Sequence, residues 1–485
     1  MPNAVTTLVL LIFPIISVWL FGRLHPRRAL LSVLILGYLF LPPQPAGFTI
    51  PLIPPLTKDT IPSLVAIIAC LALYRDQMTF LPTQPVAKVL VLVFIFSPMG
   101  TVLTNMDTVQ FGSFTLPALR FRSGIAQCIN QALLVAPLLL ARNFFHSEED
   151  IRDLMWAMAI AGLVYSLPLL LEVRLSPQLN IWIYGYFQHS FAQMMRGDGF
   201  RPIVFLYHGL WAAFLVLTAL LAMTSLARSS RTRWAVLWWA CTGYLGVLLI
   251  LCKSMASILY GLMFVPVLIF LGVRMQLRIA MLLACVVLAY PTLKSLHLVP
   301  EERILTWAES VDEDRANSLR FRLDNETVLI DRAMERPVFG WGSWGRNHLY
   351  NERNGEVLTT TDGRWVITIG VYGWVGFIAE FGLLLLPIFL LSRYGLTRTR
   401  RGPKNATGTP AADTGNLDIP GENSELPHWI SGAALILAIN TVDMVPNATL
   451  TPMSWLFTGA LLGLIESVKS KDSNKTIKQR LRTIL

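Results

Sequence analysis

The stretch WVITIGVYGWVGFIAEFGLLLLPIFLL, from Trp365 to Leu391, carries one charged side chain, Glu380, in 27 residues. About 20 apolar residues of helix cross the hydrocarbon of a bilayer, so a run of this length with this little charge reads as a transmembrane helix. The exception is informative. An ionised carboxylate inside such a helix costs at least about 2.5 kcal/mol, so Glu380 is expected to be protonated or paired, and it is a functional candidate.

Comparable runs begin near Val5, Val89, Gly124, Leu154, Ile203, Trp234, Met255, Ile279, His428 and Ser454. Two shorter, proline-flanked runs, Ala29 to Leu41 and Ile61 to Tyr74, fit either tilted spans or re-entrant segments. The expected fold is an all-α polytopic membrane protein of about 11–13 transmembrane helices. Composition agrees. Of 485 residues, 54% are hydrophobic and 14% charged, with a mean hydropathy of +0.54, which excludes a single large soluble domain.

The net charge of +10 does not point to nucleic acid, because the Lys and Arg residues sit in short clusters between apolar runs. They read as topology determinants. The five cysteines fall in or beside apolar runs with no CxxC or Cys/His spacing, so neither a disulfide framework nor a metal site is implied. The first run, Val5 to Phe21, lacks a preceding basic region and a following cleavage site, and reads as the first helix. No Walker A, dinucleotide fingerprint, HExxH or nucleophile elbow occurs, and no cofactor is expected.

Positive charge in short loops favours the cytoplasm. Arg23, Arg27 and Arg28, then Arg75, Arg142 and Arg152, Arg228 to Arg233, Arg274 and Arg278, and Arg393 to Lys404 all fall on one side if about thirteen runs are counted. The opposite face then carries Asn105 to Ser123, Glu172 to Arg201, and the longest loop. The expected organisation is N-terminal transmembrane helices over 1–293, a large periplasmic loop over 294–364, and C-terminal helices over 365–468. These last include a flexible cytoplasmic linker, 393–427, and a basic cytoplasmic tail, 469–485, follows them.

Within the large loop, Ser318 can cap an amphipathic helix running to Glu335, with Leu319, Leu323, Ile330 and Met334 on one face and Pro337 ending it. The segment Phe339-Gly340-Trp341-Gly342-Ser343-Trp344-Gly345 interleaves glycines with aromatics, a composition suited to tight turns at headgroup level.

Chemistry concentrates on this outer face. Arg201 stands at the start of an apolar run within Arg196-Gly197-Asp198-Gly199-Phe200-Arg201-Pro202; snorkelling is the plain reading, pyrophosphate binding the sharper one. Arg320 and Arg322 can pair with Asp324 and Glu326 at a spacing of four, or bind phosphate. Lys253 interrupts an apolar stretch at an outward turn. His348, Asp362 and Glu326 are candidate acids or bases, with His208 a further one. Asp443 and Asn440 lie near the outer end of their helix and could line a cavity.

At Arg322-Leu323, then Arg336-Pro337-Val338-Phe339-Gly340-Trp341-Gly342, the chain resembles the O-antigen ligase and polymerase family of bacterial envelope proteins. The span with Gly370, Gly373, Gly376, Glu380 and Gly382 resembles that family's glycine-patterned helix. Arg201 with His208 and Lys253-Ser254 resemble its upstream elements. The resemblance implies a metal-independent, type C-like glycosyltransferase in the bacterial inner membrane with its active site facing the periplasm. Its substrates would be a polyprenyl-pyrophosphate-linked oligosaccharide donor and a growing glycan acceptor. Membrane lipids, and chain-length regulator or export proteins, would be its other partners. Arg201, Arg322, Arg320 and Lys253 would hold the pyrophosphate and Asp362, His348 or Glu326 would supply the base.

The family's ligases carry a histidine before the span that follows the loop, where this chain has Asp362. That difference favours a polymerase of O-antigen or exopolysaccharide repeat units over a ligase. A lipid-linked oligosaccharide flippase is the reading from another class, but charge along several helices and paired broken helices would then be expected. A non-catalytic scaffold would leave the outward arginines without a role.

Overall fold

A computed structural model describes residues 1–49, 54–196, 199–230, 232–311, 313–400 and 426–484. Among them are sixteen α-helices: α1 (Ala4–Arg23), α2 (Pro26–Phe40), α3 (Ile61–Leu73), α4 (Pro85–Leu103), α5 (Phe121–Phe144), α6 (Glu148–Leu175), α7 (Leu179–Tyr184) and α8 (Gly209–Ser229) form the first half. The second half comprises α9 (Ala235–Leu251), α10 (Met255–Phe270), α11 (Val273–Ser295), α12 (Glu301–Val311), α13 (Glu313–Met334), α14 (Arg364–Arg400), α15 (His428–Asp443) and α16 (Pro452–Ile484). Two small antiparallel hairpins, Val109–Phe111 with Phe114–Leu116 and Met195–Arg196 with Gly199–Phe200, sit between helices.

Seven helices, α1, α4, α5, α6, α8, α11 and α14, are long and apolar enough to cross a bilayer. The chain is a mostly helical, multi-pass membrane protein. Helix α8 is buried along nearly its whole length between α6, α9, α10 and α15. At the periphery the pattern is that of a lipid-facing surface: Val236, Val247, Leu262, Met263 and Phe270 of α9 and α10 are all exposed and all apolar.

The two short proline-flanked runs are full members of the bundle. Arg27, in the first turn of α2, pairs with Asp153 in α6 at 2.6 Å, and Phe40 at its far end accepts from the Tyr184 hydroxyl at 2.6 Å. Just before α3, Lys58 Nζ donates to the Phe205 carbonyl at 2.5 Å; just after it, Tyr74 donates to the Phe21 carbonyl at 2.7 Å. Each is thus anchored at both ends to other helices or their connections. Proline in their first turns costs nothing there, because those N–H groups have no helical acceptor.

Helix α14 is broken. Gly373 takes φ 68° and ψ −169°, which only glycine adopts readily, and a Cβ there would lie 2.3 Å from the Val338 carbonyl oxygen. The backbone groups freed at the break are satisfied from the large loop. Trp341 and Gly342 N–H donate to the Gly370 and Val371 carbonyls at 2.8 and 3.0 Å, and Trp374 N–H donates to the Pro337 carbonyl at 2.8 Å. The glycine-aromatic segment is thus docked into the helix break, with Phe339 against Gly100 of α4 and Trp341 buried, while Trp344 alone of its tryptophans is exposed. Trp341 is thus packed in protein rather than against a headgroup layer.

Other boundaries move. The loop helix starts at Glu313, not Ser318, and α12 precedes it; acidic residues near the start of α13 favour a helix N-terminus there. Its apolar face, with Leu323 and Ile330 buried, lies where the spacing places it. Helix α14 continues through Arg400 and α16 through Ile484, so the linker begins later than 393 and the tail is helical. The remainder of the linker, 401–425, lies outside the described residues.

Candidate functional site

Arg201 is set up by the hairpin before it and the helix after it. Its N–H donates to the Met194 carbonyl at 2.7 Å, and its side-chain stem lies across the first residue of α8, where any Cβ on Gly209 would fall 2.2 Å from Arg201 Cδ. Arg201 is 6% exposed; its guanidinium donates to the Lys253 carbonyl at 3.0 Å and has an Nε with no partner. Snorkelling into water is therefore not what this arginine does. Gly197 and Asp198 of its motif lie outside the described residues.

No acid pairs with Arg201 among the described residues. Burial, with the charges of Arg196 and Arg322 next, lowers its pKa to about 10. The positive end of α8 adds to that repulsion. A buried cation beside two others and a helix N-terminus is a costly arrangement unless an anion joins it.

Lys253 occupies the turn between α9 and α10 in a left-handed conformation, φ 51°, and its Nζ donates to the Arg196 carbonyl at 2.9 Å. Its ammonium thus braces the hairpin that carries Arg201. His208 caps α8 through Nδ1, which accepts from Leu210 N–H at 2.9 Å, and its ring stands edge-on to His189 at 4.6 Å. Burial, with His189, Arg201, Arg196 and Arg322 behind it, pushes the imidazole down to about 3.

Arg322 reaches this cluster from the large loop. Its Nε lies 3.4 Å from Asp362 Oδ2, and it contacts the Pro446 carbonyl at 3.4 Å. The expected pairing with Glu326 is not made. Glu326 points inward and accepts from the Tyr290 hydroxyl at 2.7 Å; burial raises its pKa. Arg320 pairs not with Asp324 but with Glu309 of α12 at 2.6 Å, because α12 folds back against α13, and this pair is exposed.

His348 is half-buried against Thr359, with Nδ1 3.0 Å from the threonine hydroxyl, and burial lowers its pKa. It contacts neither Arg201 nor Arg322 among the described residues. Asp443, at the end of α15, accepts from Thr449 at 2.7 Å and Asn447 at 3.1 Å and shapes the turn that meets Arg322. Glu380 is 0% exposed and paired with Arg364 at 2.6 Å, a partner the sequence reading assigned to the loop and passed over. The acid is thus paired, one of the two states expected of a carboxylate inside a span.

The structure therefore brings together Arg201, Lys253, His208, Arg322 and Asp362, with Asp443 beneath, and leaves Arg320, His348, Glu326 and Glu380 apart from them. Sequence reading also passed over Arg196 and His189. The signal for both was their position in the segment leading to Arg201. No family model matches the chain, and no curated protein does.

Proposed function

We propose that this chain is a membrane glycosyltransferase that polymerises polyprenyl-pyrophosphate-linked oligosaccharide repeat units, O-antigen or exopolysaccharide, on the periplasmic face of the bacterial inner membrane. The observation that carries the reading is the buried Arg201, paired with no acid among the described residues, beside Arg196 and Arg322 at the positive end of α8. Such a site suits a polyanion, and arginine's planar fork suits pyrophosphate oxygens. The positive charge of the short loops supports a topology of thirteen crossings, α7, α12 and α13 excluded, in which the α11–α14 connection and this cluster would face away from those loops.

In this reading the guanidinium groups stabilise the charge that grows on the leaving pyrophosphate. An acceptor hydroxyl attacks the anomeric carbon, the carbon–oxygen bond to pyrophosphate breaks with its electron pair, and the hydroxyl proton passes to Asp362. Asp362 is favoured over His348 as the base because it already touches Arg322.

The test replaces Arg201 and Arg322 separately with Ala and follows cell-surface polymer. Accumulation of single lipid-linked repeat units is expected in both variants. Unchanged polymer in both would remove the enzymatic reading, and intact polymer that fails to reach lipid A would indicate a ligase instead.

A further inference from the structure

We infer that the cavity of about 460 Å³ enclosed by the start of α3, the middle of α5, the start of α8 and the short arm of α14 is a saccharide-binding chamber. Two of its lining side chains, Gln131 and Ser63, are each 2% exposed, and neither has a described hydrogen bond to protein. Their polar groups open onto the cavity with no protein partner described, so a polar occupant can engage both.

The chemistry of the remaining walls selects the occupant. Asp59 holds the Tyr207 hydroxyl on Oδ2 at 2.6 Å, and no described contact engages its other oxygen. Trp211 and Tyr372 supply ring faces. The one cation in the lining, Arg364, is already neutralised by Glu380. Among the lining side chains a phosphate would thus meet a carboxylate and no unpaired cation. Vicinal hydroxyls on a ring with an apolar face would meet acceptors, an amide and aromatic surfaces, and the volume lies in the range of small-ligand sites.

Its position fits the proposed function, on which this inference rests. The turn 444–452, which carries the carbonyl that Arg322 contacts, also lines the chamber through Ala448, Leu450 and Pro452. Sugar in the chamber would lie on one side of that turn and pyrophosphate on the other.

Purified protein in nanodiscs, titrated calorimetrically, tests this with two probes: oligosaccharide released by mild acid from the source cell's lipid-linked pool, and inorganic pyrophosphate. Gln131→Leu and Asp59→Asn are each expected to weaken the oligosaccharide about tenfold and leave pyrophosphate unchanged. Ser63→Ala, the mildest change, serves as the third variant should either of the others fold poorly, and is expected to act in the same direction. Oligosaccharide binding equal in wild type and variants, or absent from wild type, overturns the chamber. Loss of pyrophosphate binding in Arg201→Ala, scored on the same samples, shows separately whether the underlying reading stands.

Discussion

Arg364 and Glu380 form a bidentate ion pair, Nε to Oε1 at 2.6 Å and Nη2 to Oε2 at 2.7 Å, across a separation of 16 residues in one helix. In an unbroken helix those residues would stand about 24 Å apart, beyond the reach of both side chains. The pair exists because α14 bends at Gly373 and lays its short arm beside its long one. Removing one partner strands the other as a buried charge. Glu380→Gln should therefore destabilise the protein by about 3–5 kcal/mol, while Arg364→Met combined with Glu380→Met should recover much of that loss. The apparent Tm in detergent measures both, and an unchanged Tm for Glu380→Gln would sink the claim.

The break itself gives a second expectation. Gly373→Ala would place a Cβ 2.3 Å from the Val338 carbonyl oxygen at a φ of 68°, and Gly340 meets the Gly373 backbone in the same way from the other side. Either substitution should undock the 337–342 segment and lower the yield of folded protein. Gly243→Ala is the control, because nothing lies within 4 Å of its Cβ. There the better helix propensity of alanine should raise stability by up to about 1 kcal/mol. Equal behaviour of Gly373→Ala and Gly243→Ala in size-exclusion profiles and thermal scans would refute the docking argument.

Why the spans were readable and the site only in part follows from what each depends on. Lipid imposes long apolar runs, so Trp365–Leu391 announces itself residue by residue, and loop charge follows the same local logic. Helix α14's fold-back depends instead on Gly373 meeting Pro337–Gly342, two segments about 30 residues apart that satisfy each other's backbone groups. No local periodicity carries that information. The i, i+4 pairs expected for Arg320 and Arg322 failed for the same reason, because their partners Glu309 and Asp362 arrive from other elements. The convergence of Arg201 with Arg322 likewise depends on tertiary packing that brings the large loop to the start of α8.

His208 should make stability pH-dependent. Its folded pKa is lowered to about 3 by burial and by His189, Arg201, Arg196 and Arg322, against 6.5 for the free side chain. Between those values the unfolded chain binds the proton and the folded chain does not. Stability therefore falls as pH drops from about 6.5 towards 3 and is fully present above that window. His208→Asn keeps an N-cap acceptor for Leu210 and removes the titration, so its Tm should decline less steeply from pH 6.5 to 4. Pyrophosphate, by neutralising the arginines, should also flatten the wild-type slope. Parallel slopes for wild type and His208→Asn would count against the assignment.

Asp362 and His348 can be separated as bases by binding and turnover measured on the same protein. Asp362 competes with pyrophosphate for Arg322, since its Oδ2 lies 3.4 Å from Arg322 Nε in a part-exposed pair. Asp362→Asn removes that competitor, and pyrophosphate should bind about two- to fivefold more tightly, the scale of an exposed ion pair. If Asp362 takes the hydroxyl proton, the same variant should lose about 100- to 10,000-fold in turnover. His348→Gln keeps a polar contact to Thr359 and sits apart from the arginines, so polymerisation should persist at a comparable rate. The opposite result, turnover abolished by His348→Gln and retained by Asp362→Asn, would transfer the base to His348 and require the large loop to close further on the cluster than it does here.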